Sequence, residues 1–196
     1  REAKAQGQDA ISDVYPFNAS STRLFEHYVN DAEKILITGS EKDASAVGQY
    51  LADYAKSKNL TQKQAITALQ PGTAIYWTMS EENVRSVLKD DISVIGSDGL
   101  PFDTHPHPRL WGTFPRVIGH YARDEKLFSL PQAINKITLK PAQFFQLDDR
   151  GVIRERAIAD LVVFSPTEIA ERATFVNPKQ KAKGIKYVIV SGKVTY

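Results

Sequence analysis

The residues best suited to chemistry gather between Val94 and Tyr121, in the stretch VIGSDGLPFDTHPHPRLWGTFPRVIGHY. An apolar run there ends in Gly96-Ser97-Asp98-Gly99, and a loop rich in proline follows. Small residues on either side of Asp98 let the backbone pass close to another group and leave the carboxylate unshielded. An acid at the carboxyl end of a parallel strand sits where α/β folds place their catalytic groups, and it can take or give a proton. A plain turn is the other reading, since Asp-Gly is a common turn dipeptide.

The same loop carries Asp103, His105, His107 and Arg109, stiffened by prolines at 101, 106 and 108. Imidazoles two residues apart on extended chain can face one way, as a metal pair would. No third ligand is in register, so the pair reads better as polar groups on a rigid surface loop. Arg109, beside Leu110 and Trp111, suits a bidentate clamp on a carboxylate and equally suits a structural salt bridge. Two further stretches stand out. Tyr15 to Thr22 is rich in hydroxyls, and taken alone it reads as a capping turn ahead of a helix at Arg23. Ala74 to Met79 sets Tyr76, Trp77 and Met79 just before a helix cap, either as core or as the wall of an apolar pocket.

The elements that must position these groups are legible in outline. Apolar runs at 34–38, 92–96, 160–164 and 187–191 suit strands buried on both faces, as in parallel sheets, and 9–15 is a weaker strand ending at Pro16. Ser40 caps a helix whose buried stripe is Val47, Tyr50, Leu51 and Tyr54. Thr61 with Gln64, Ser80 before two acids, and Ser129 with Gln132 start three more helices, the last breaking near Pro141. Strands and helices alternate to about residue 140 and strands and turns follow, which predicts an α/β part joined to a small β-rich part, with the boundary between Pro141 and Arg150. A (β/α)₈ barrel takes about 250 residues and eight strands. This chain offers two or three such strands before residue 100 and cannot close a barrel alone.

Composition narrows the function classes. The chain has 196 residues, 42% of them hydrophobic, which is enough for a packed core. A net charge of +2 gives no footprint for nucleic acid and no strong pull to a membrane. The absence of cysteine excludes disulfides, thiol catalysis and thiolate metal sites within the chain. No apolar run reaches the ~18 residues of a membrane span, and no signal peptide is visible. A cytoplasmic location is the expectation. The chain has no initiator Met, and Arg1 to Gln6 reads as the tail of a helix already under way, so a piece of something longer is expected.

The stretches DVYPFNASSTRL, AIYWTM, the whole of Val94 to Tyr121, RGVIRE, IADLVVFSP and GIKYVIVSGKV resemble the C-terminal part of the N-acyl-D-amino-acid deacylase (D-aminoacylase) family, in the metal-dependent amidohydrolase superfamily. The resemblance implies an α/β fold: residues 1–141 as the C-terminal part of a (β/α)₈ barrel with a lid insertion at about 20–80, and 142–196 as strands of a small β-sandwich. It makes 9–15 the seventh barrel strand and 92–98 the eighth. It implies that Asp98 shuttles a proton from a zinc-bound water to the leaving amine. It places Tyr15 and Ser21 on the substrate's α-carboxylate, Tyr76 and Met79 along the pocket for the D-amino-acid side chain, and Arg109 near the aspartate and that carboxylate.

The same resemblance puts the zinc ligands upstream of residue 1. Zinc is therefore expected in the complete enzyme, and this chain alone is expected to bind none and to deacylate nothing. Gln146 and Arg156 stand where the family often has glycine. The implied substrate is an N-acyl-D-amino acid; the rivals are a sister amidohydrolase for acyl dipeptides or cyclic amides, and a non-catalytic split half that works only in complex. Bare strand edges and uncovered apolar surface predict association with an N-terminal half or with a second copy.

Overall fold

The computed structural model describes residues 2–196; the part of the expected N-terminal helix that falls on Arg1 lies outside the described residues. A helical turn, α1 (Glu2–Ala5), precedes β1 (Ser12–Val14), which ends ahead of Pro16. Proline has no N–H for a ladder, so the chain leaves the sheet there. It then forms β2 (Ala19–Arg23), where the hydroxyl-rich stretch alone reads as a turn. Ala19 and Ser21 are buried and Ser20 and Thr22 half-buried, the period of two of a strand. No helix starts at Arg23; a 3₁₀ turn follows at Glu26–Val29.

Next comes β3 (Ile35–Ser40). Ser40 does cap, but it caps a turn: its Oγ accepts from the N–H groups of Lys42 and Asp43 at 3.2 and 3.1 Å. That turn runs through a 3₁₀ segment, Ala44–Ala46, and stops at Gly48, whose φ of +85° an α-helix cannot include. The helix α2 (Leu51–Ser57) starts after it, so the expected stripe splits, with Leu51 and Tyr54 buried and Tyr50 exposed. The helix α3 (Gln62–Leu69) begins at the expected Thr61–Gln64 capping box, and α4 (Glu81–Lys89) at Ser80 with Asn83. Such caps contribute about 1 kcal/mol each. Between them lies β4 (Gly72–Trp77), an element that the aromatic cluster alone does not reveal.

The strand β5 (Ser93–Ile95) leads to α5 (Arg109–Arg116), which runs on into a π-helical turn at Val117–Asp124. The helix α6 (Leu130–Ile137) starts at the Ser129–Gln132 box and breaks at Thr138, earlier than Pro141. Pro141 sits instead in the first turn of α7 (Leu139–Phe144), where its missing N–H breaks no intrahelical bond. Three strands complete the fold: β6 (Leu161–Phe164), β7 (Ile185–Val190) and β8 (Lys193–Val194).

The sheets correct one expectation. Among the described residues only β1 and β5 pair in parallel, with Val14 opposite Ile95. The apolar run in β3 belongs to an antiparallel sheet ordered β2-β4-β3, and those in β6 and β7 to an antiparallel sheet ordered β6-β7-β8. β3 is buried on both faces without parallel partners, whereas the expected two-face burial does not hold for β6 and β7, where Val162, Val163, Tyr187 and Val190 are exposed. Against the parallel pair, Val84, Leu88, Ile95, Val117, Tyr121 and Ala133 form one core. The segment between β1 and β5 has its own core, with Leu51, Ile66, Leu69 and Tyr76 at its centre. The two strands are thus neighbours in space although a separately packed unit is inserted between them in sequence.

Two exposed residues in the later loops, Gln146 and Arg156, hold φ of 57° and 64°. Left-handed backbone costs a side-chain-bearing residue about 1–2 kcal/mol, which glycine avoids at some loss of unfolded-state entropy. Gln146→Gly and Arg156→Gly should each raise stability by about 0.5 kcal/mol in urea titrations; a loss at both positions would contradict the assignment of strain.

Candidate active site at the end of the parallel pair

The chain turns sharply after β5. Asp98 holds a φ of 46°, a left-handed conformation that aspartate tolerates better than most residues. Gly99 then passes so close to α5 that a Cβ there would lie 2.9 Å from Leu110 Cδ1 and 3.1 Å from its Cα. The small residues around Asp98 therefore do what their size suggests, bringing the carboxylate against the start of α5.

Arg109, at that start, closes on the turn twice. Its Nε donates to the Asp98 carbonyl at 2.7 Å and its Nη2 meets Asp98 Oδ2 at 2.8 Å. The arginine side chain is 1% exposed and the aspartate 56%, so one partner is sealed while the other keeps an open face. The Tyr15 ring lies 4.5 Å from the Arg109 guanidinium carbon, and Ser21 O is a long 3.5 Å from Nη2. Burial pushes the Tyr15 phenol up, Arg109 opposes it and Asp98 adds to it, with a net rise that keeps the hydroxyl protonated and able to donate. Among the described residues two buried polar atoms have no hydrogen-bond partner: Arg109 Nη1 and Ser21 Oγ. A buried guanidinium N–H without an acceptor is costly.

His107 corrects the surface-loop reading. It is buried, its Nε2 donates to Ala19 O at 3.0 Å, and its Nδ1 accepts the Arg109 backbone N–H at 3.0 Å. Burial first, then Arg109, push its pKa down to about 3. His105 is engaged as well, its Nε2 on Phe175 O at 2.7 Å. With both ring nitrogens of His107 engaged, the two imidazoles cannot act together as a metal pair. Among the described residues no group of three or more His, Cys, Asp or Glu is placed to hold a metal, so these side chains do not fit a zinc site of their own.

The structure brings Tyr15, Ser21, Asp98 and Arg109 together. It sets Tyr76 apart from them. Alternation along β4 turns Tyr76 to the face opposite Ile75 and Ser21, where it is fully buried. Its hydroxyl is spent on backbone, donating to Arg23 O at 2.8 Å and accepting from Phe25 N at 3.0 Å, and burial pushes its pKa up to about 12. Tyr76 thus sits in the core of the inserted unit. Tyr28, 4.4 Å from it ring to ring, adds a small upward push to the titration of Tyr15, after burial, Arg109 and Asp98. Met79 is exposed beyond β4, its N–H on Asn18 O at 3.3 Å. Sequence reasoning missed Phe17 and Phe175, whose rings meet His107 edge-on at 5.3 and 5.1 Å. An apolar groove of about 910 Å³ between α5, α6 and the β6-β7-β8 sheet is lined by none of the site residues.

Comparison with known proteins shows the family and the fold of the chain. The amidohydrolase family matches residues 14–196, and the chain belongs to that family. It is 44% identical to a D-aminoacylase of Alcaligenes xylosoxydans xylosoxydans over 191 residues, 97% of this chain and 40% of that protein. An N-acyl-D-glutamate deacylase of the same organism is 41% identical over 97% of this chain and 39% of its own length. The crystal structure of the N-acyl-D-glutamate deacylase from Bordetella bronchiseptica, complexed with zinc and a phosphonate mimic of the tetrahedral intermediate, superposes with a TM-score of 0.97 at 39% identity, over all of this chain and 41% of that one. A D-aminoacylase crystal structure superposes at 0.95 with 42% identity over the same shares. The chain thus spans about 40% of the length of these relatives.

The buried histidine makes acid a specific threat to this site. Unfolded histidine titrates near 6.5 and His107 near 3, so between those values the unfolded chain binds more protons and stability falls as pH falls. Its contribution is complete above pH 6.5 and shrinks by about 2 kcal/mol on going to pH 5. Urea midpoints at pH 7.5 and 5.0 should show that loss in the wild type and much less of it in His107→Gln; an equal loss in both would place the acid sensitivity elsewhere.

Proposed function

We propose that this chain carries the proton-transfer and carboxylate-binding share of an N-acyl-D-amino-acid deacylase, which cleaves the amide to a carboxylate and a free D-amino acid. The observation that carries the reading is the pair of buried, unpartnered atoms, Arg109 Nη1 and Ser21 Oγ, beside a half-open Asp98. A substrate α-carboxylate supplies the acceptors that both atoms lack, and Tyr15 adds a third donor. Arg109 already holds Asp98, so the same guanidinium would fix the distance between the bound carboxylate and the reacting amide.

Asp98 then does the proton work. As water adds to the amide carbon, the carboxylate takes a proton from it; as the C–N bond breaks, it returns that proton to the nitrogen, so that the amine leaves neutral. A zinc ion, held by polypeptide other than these residues, would polarise the carbonyl and activate the water. In this reading β1 and β5 are adjacent strands of an incomplete barrel, the unit between them is a lid over the site, and residues beyond about 142 are part of a small β domain. The partner is the metal-binding polypeptide that the rest of the relatives' length suggests. A cyclic-amide or acyl-dipeptide substrate has less support, because the relatives that match nearly all of this chain are deacylases of acylated D-amino acids.

The chain alone should not hydrolyse N-acetyl-D-methionine at any zinc concentration, whereas the chain with its metal-binding polypeptide should. In that active form Asp98→Asn should lower kcat about 10³-fold with little change in KM, and Tyr15→Phe or Ser21→Ala should raise KM about tenfold. Steady-state kinetics check all three. Zinc-dependent turnover by the chain alone, or a fully active Asp98→Asn, would refute the reading.

A further inference from the structure

The site has a support that comes from far along the chain. Residues 169–177 run from the second sheet region back across α5 and the π-helical turn, and they are held at several points. A Cβ on Gly119 would lie 2.3 Å from Ile169 O, so backbone touches backbone there. Arg123 Nη1 donates to the same carbonyl at 2.7 Å, and Arg116 Nη1 meets Glu171 Oε1 at 2.6 Å. Arg116 also reaches Pro16 O at 2.8 Å through Nε, tying this run to the turn after β1. The run ends in a closed turn, with Thr174 N on Asn177 O at 3.1 Å and Asn177 N on Thr174 Oγ1 at 2.9 Å. Phe175 stands in that turn.

Phe175 touches three parts of the site at once. Its ring lies 4.6 Å from Trp77 on the inserted sheet, 5.1 Å from His107 on the Asp98 loop and 6.2 Å from Phe17 after β1. Its carbonyl accepts from His105 at 2.7 Å. His107 in turn spans from Ala19 O to the backbone N–H of Arg109. An unbroken line of contacts therefore joins the C-terminal segment to the backbone of Arg109, whose side chain holds Asp98. We propose that Phe175 is a positioning residue for the reaction: with the Asp98-loop histidines as intermediaries, it sets Arg109 and the edge of β2 for the substrate carboxylate. The proposal rests on the function proposed above for Arg109 and Ser21. Phe175 is placed to act on how the carboxylate is seated, and it contacts neither Asp98 nor Arg109 directly.

The test compares Phe175→Ala with Phe175→Tyr, which restores the ring. Amide hydrogen exchange is read at 105–111 and 19–23, with 62–69 in the separate core of the inserted unit as a fold control. Steady-state kinetics on N-acetyl-D-methionine use the chain together with its metal-binding polypeptide. Phe175→Ala should speed exchange about tenfold or more at 105–111 and 19–23 and leave 62–69 unchanged. It should raise KM about tenfold and lower kcat less than about threefold, with Phe175→Tyr within about twofold of the wild type in both. Should Phe175→Ala fail to fold, Phe175→Leu, which keeps bulk and loses the ring, carries the same comparison. Unchanged exchange at both segments would overturn the proposal, as would a uniform rise that includes 62–69. If the wild type has no deacylase activity, the function proposed above fails on its own, and the exchange comparison still decides whether Phe175 holds the loop.

Discussion

A guanidinium almost wholly removed from water is costly unless its N–H groups find acceptors, and at Arg109 that demand, met at Nε and Nη2 and unmet at Nη1, organises the site. The side chain reaches a carbonyl and a carboxylate of the same residue, Asp98, so the sharp turn after β5 is held in one conformation. That turn places an acid with an open face beside an arginine that has none. Neither the loop before α5 nor the helix alone could do this. The left-handed Asp98, the close passage of Gly99 over Leu110 and the position of Arg109 at the helix start have to agree.

The same helix start also solves a problem for the inserted sheet. β2 has a strand partner on one side only, and the carbonyls of Ala19 and Ser21 lie two residues apart along it. His107 and Arg109, also two residues apart, face them. A strand edge that would otherwise invite pairing is thereby capped by side chains of the Asp98 loop. The neutral state of His107 follows from this arrangement. Its Nε2 must carry the proton for Ala19 O, its Nδ1 must be bare for the Arg109 N–H, and a second positive charge beside Arg109 would be unfavourable.

What the sequence discloses depends on how local the determining contacts are. The capping boxes at Thr61, Ser80 and Ser129 are read from residues three apart and appear where expected. Asp98 and Arg109 are legible for a related reason, because both lie in one stretch whose small residues and prolines are visible. β2 is hidden because a strand of Ala, Ser and Thr is buried by its antiparallel partner rather than by its own hydrophobicity, and β4 because its aromatic cluster marks core or pocket without marking a strand. The apolar run in β3 reports burial and says nothing of strand direction, and those in β6 and β7 are half-buried or exposed. Tyr76 is legible as part of an aromatic cluster that reads as core or as pocket wall, but which face of β4 it occupies follows from register, and register puts it in the core. Phe175 lies about 70 residues beyond the histidines it touches, and no periodicity points to it.

The account makes one discriminating claim: the α-carboxylate of the substrate is recognised by the arginine that also steadies the acid. The direct measurement is the ratio of kcat/KM for N-acetyl-D-methionine to that for its α-carboxamide, in the active form with Arg109 intact and with Arg109→Lys. The account predicts a ratio of about 10³ or more that collapses at least tenfold in the variant, because a lysine ammonium cannot hold Asp98 and a second carboxylate in the same planar fork. An unchanged ratio in a folded Arg109→Lys enzyme would contradict it.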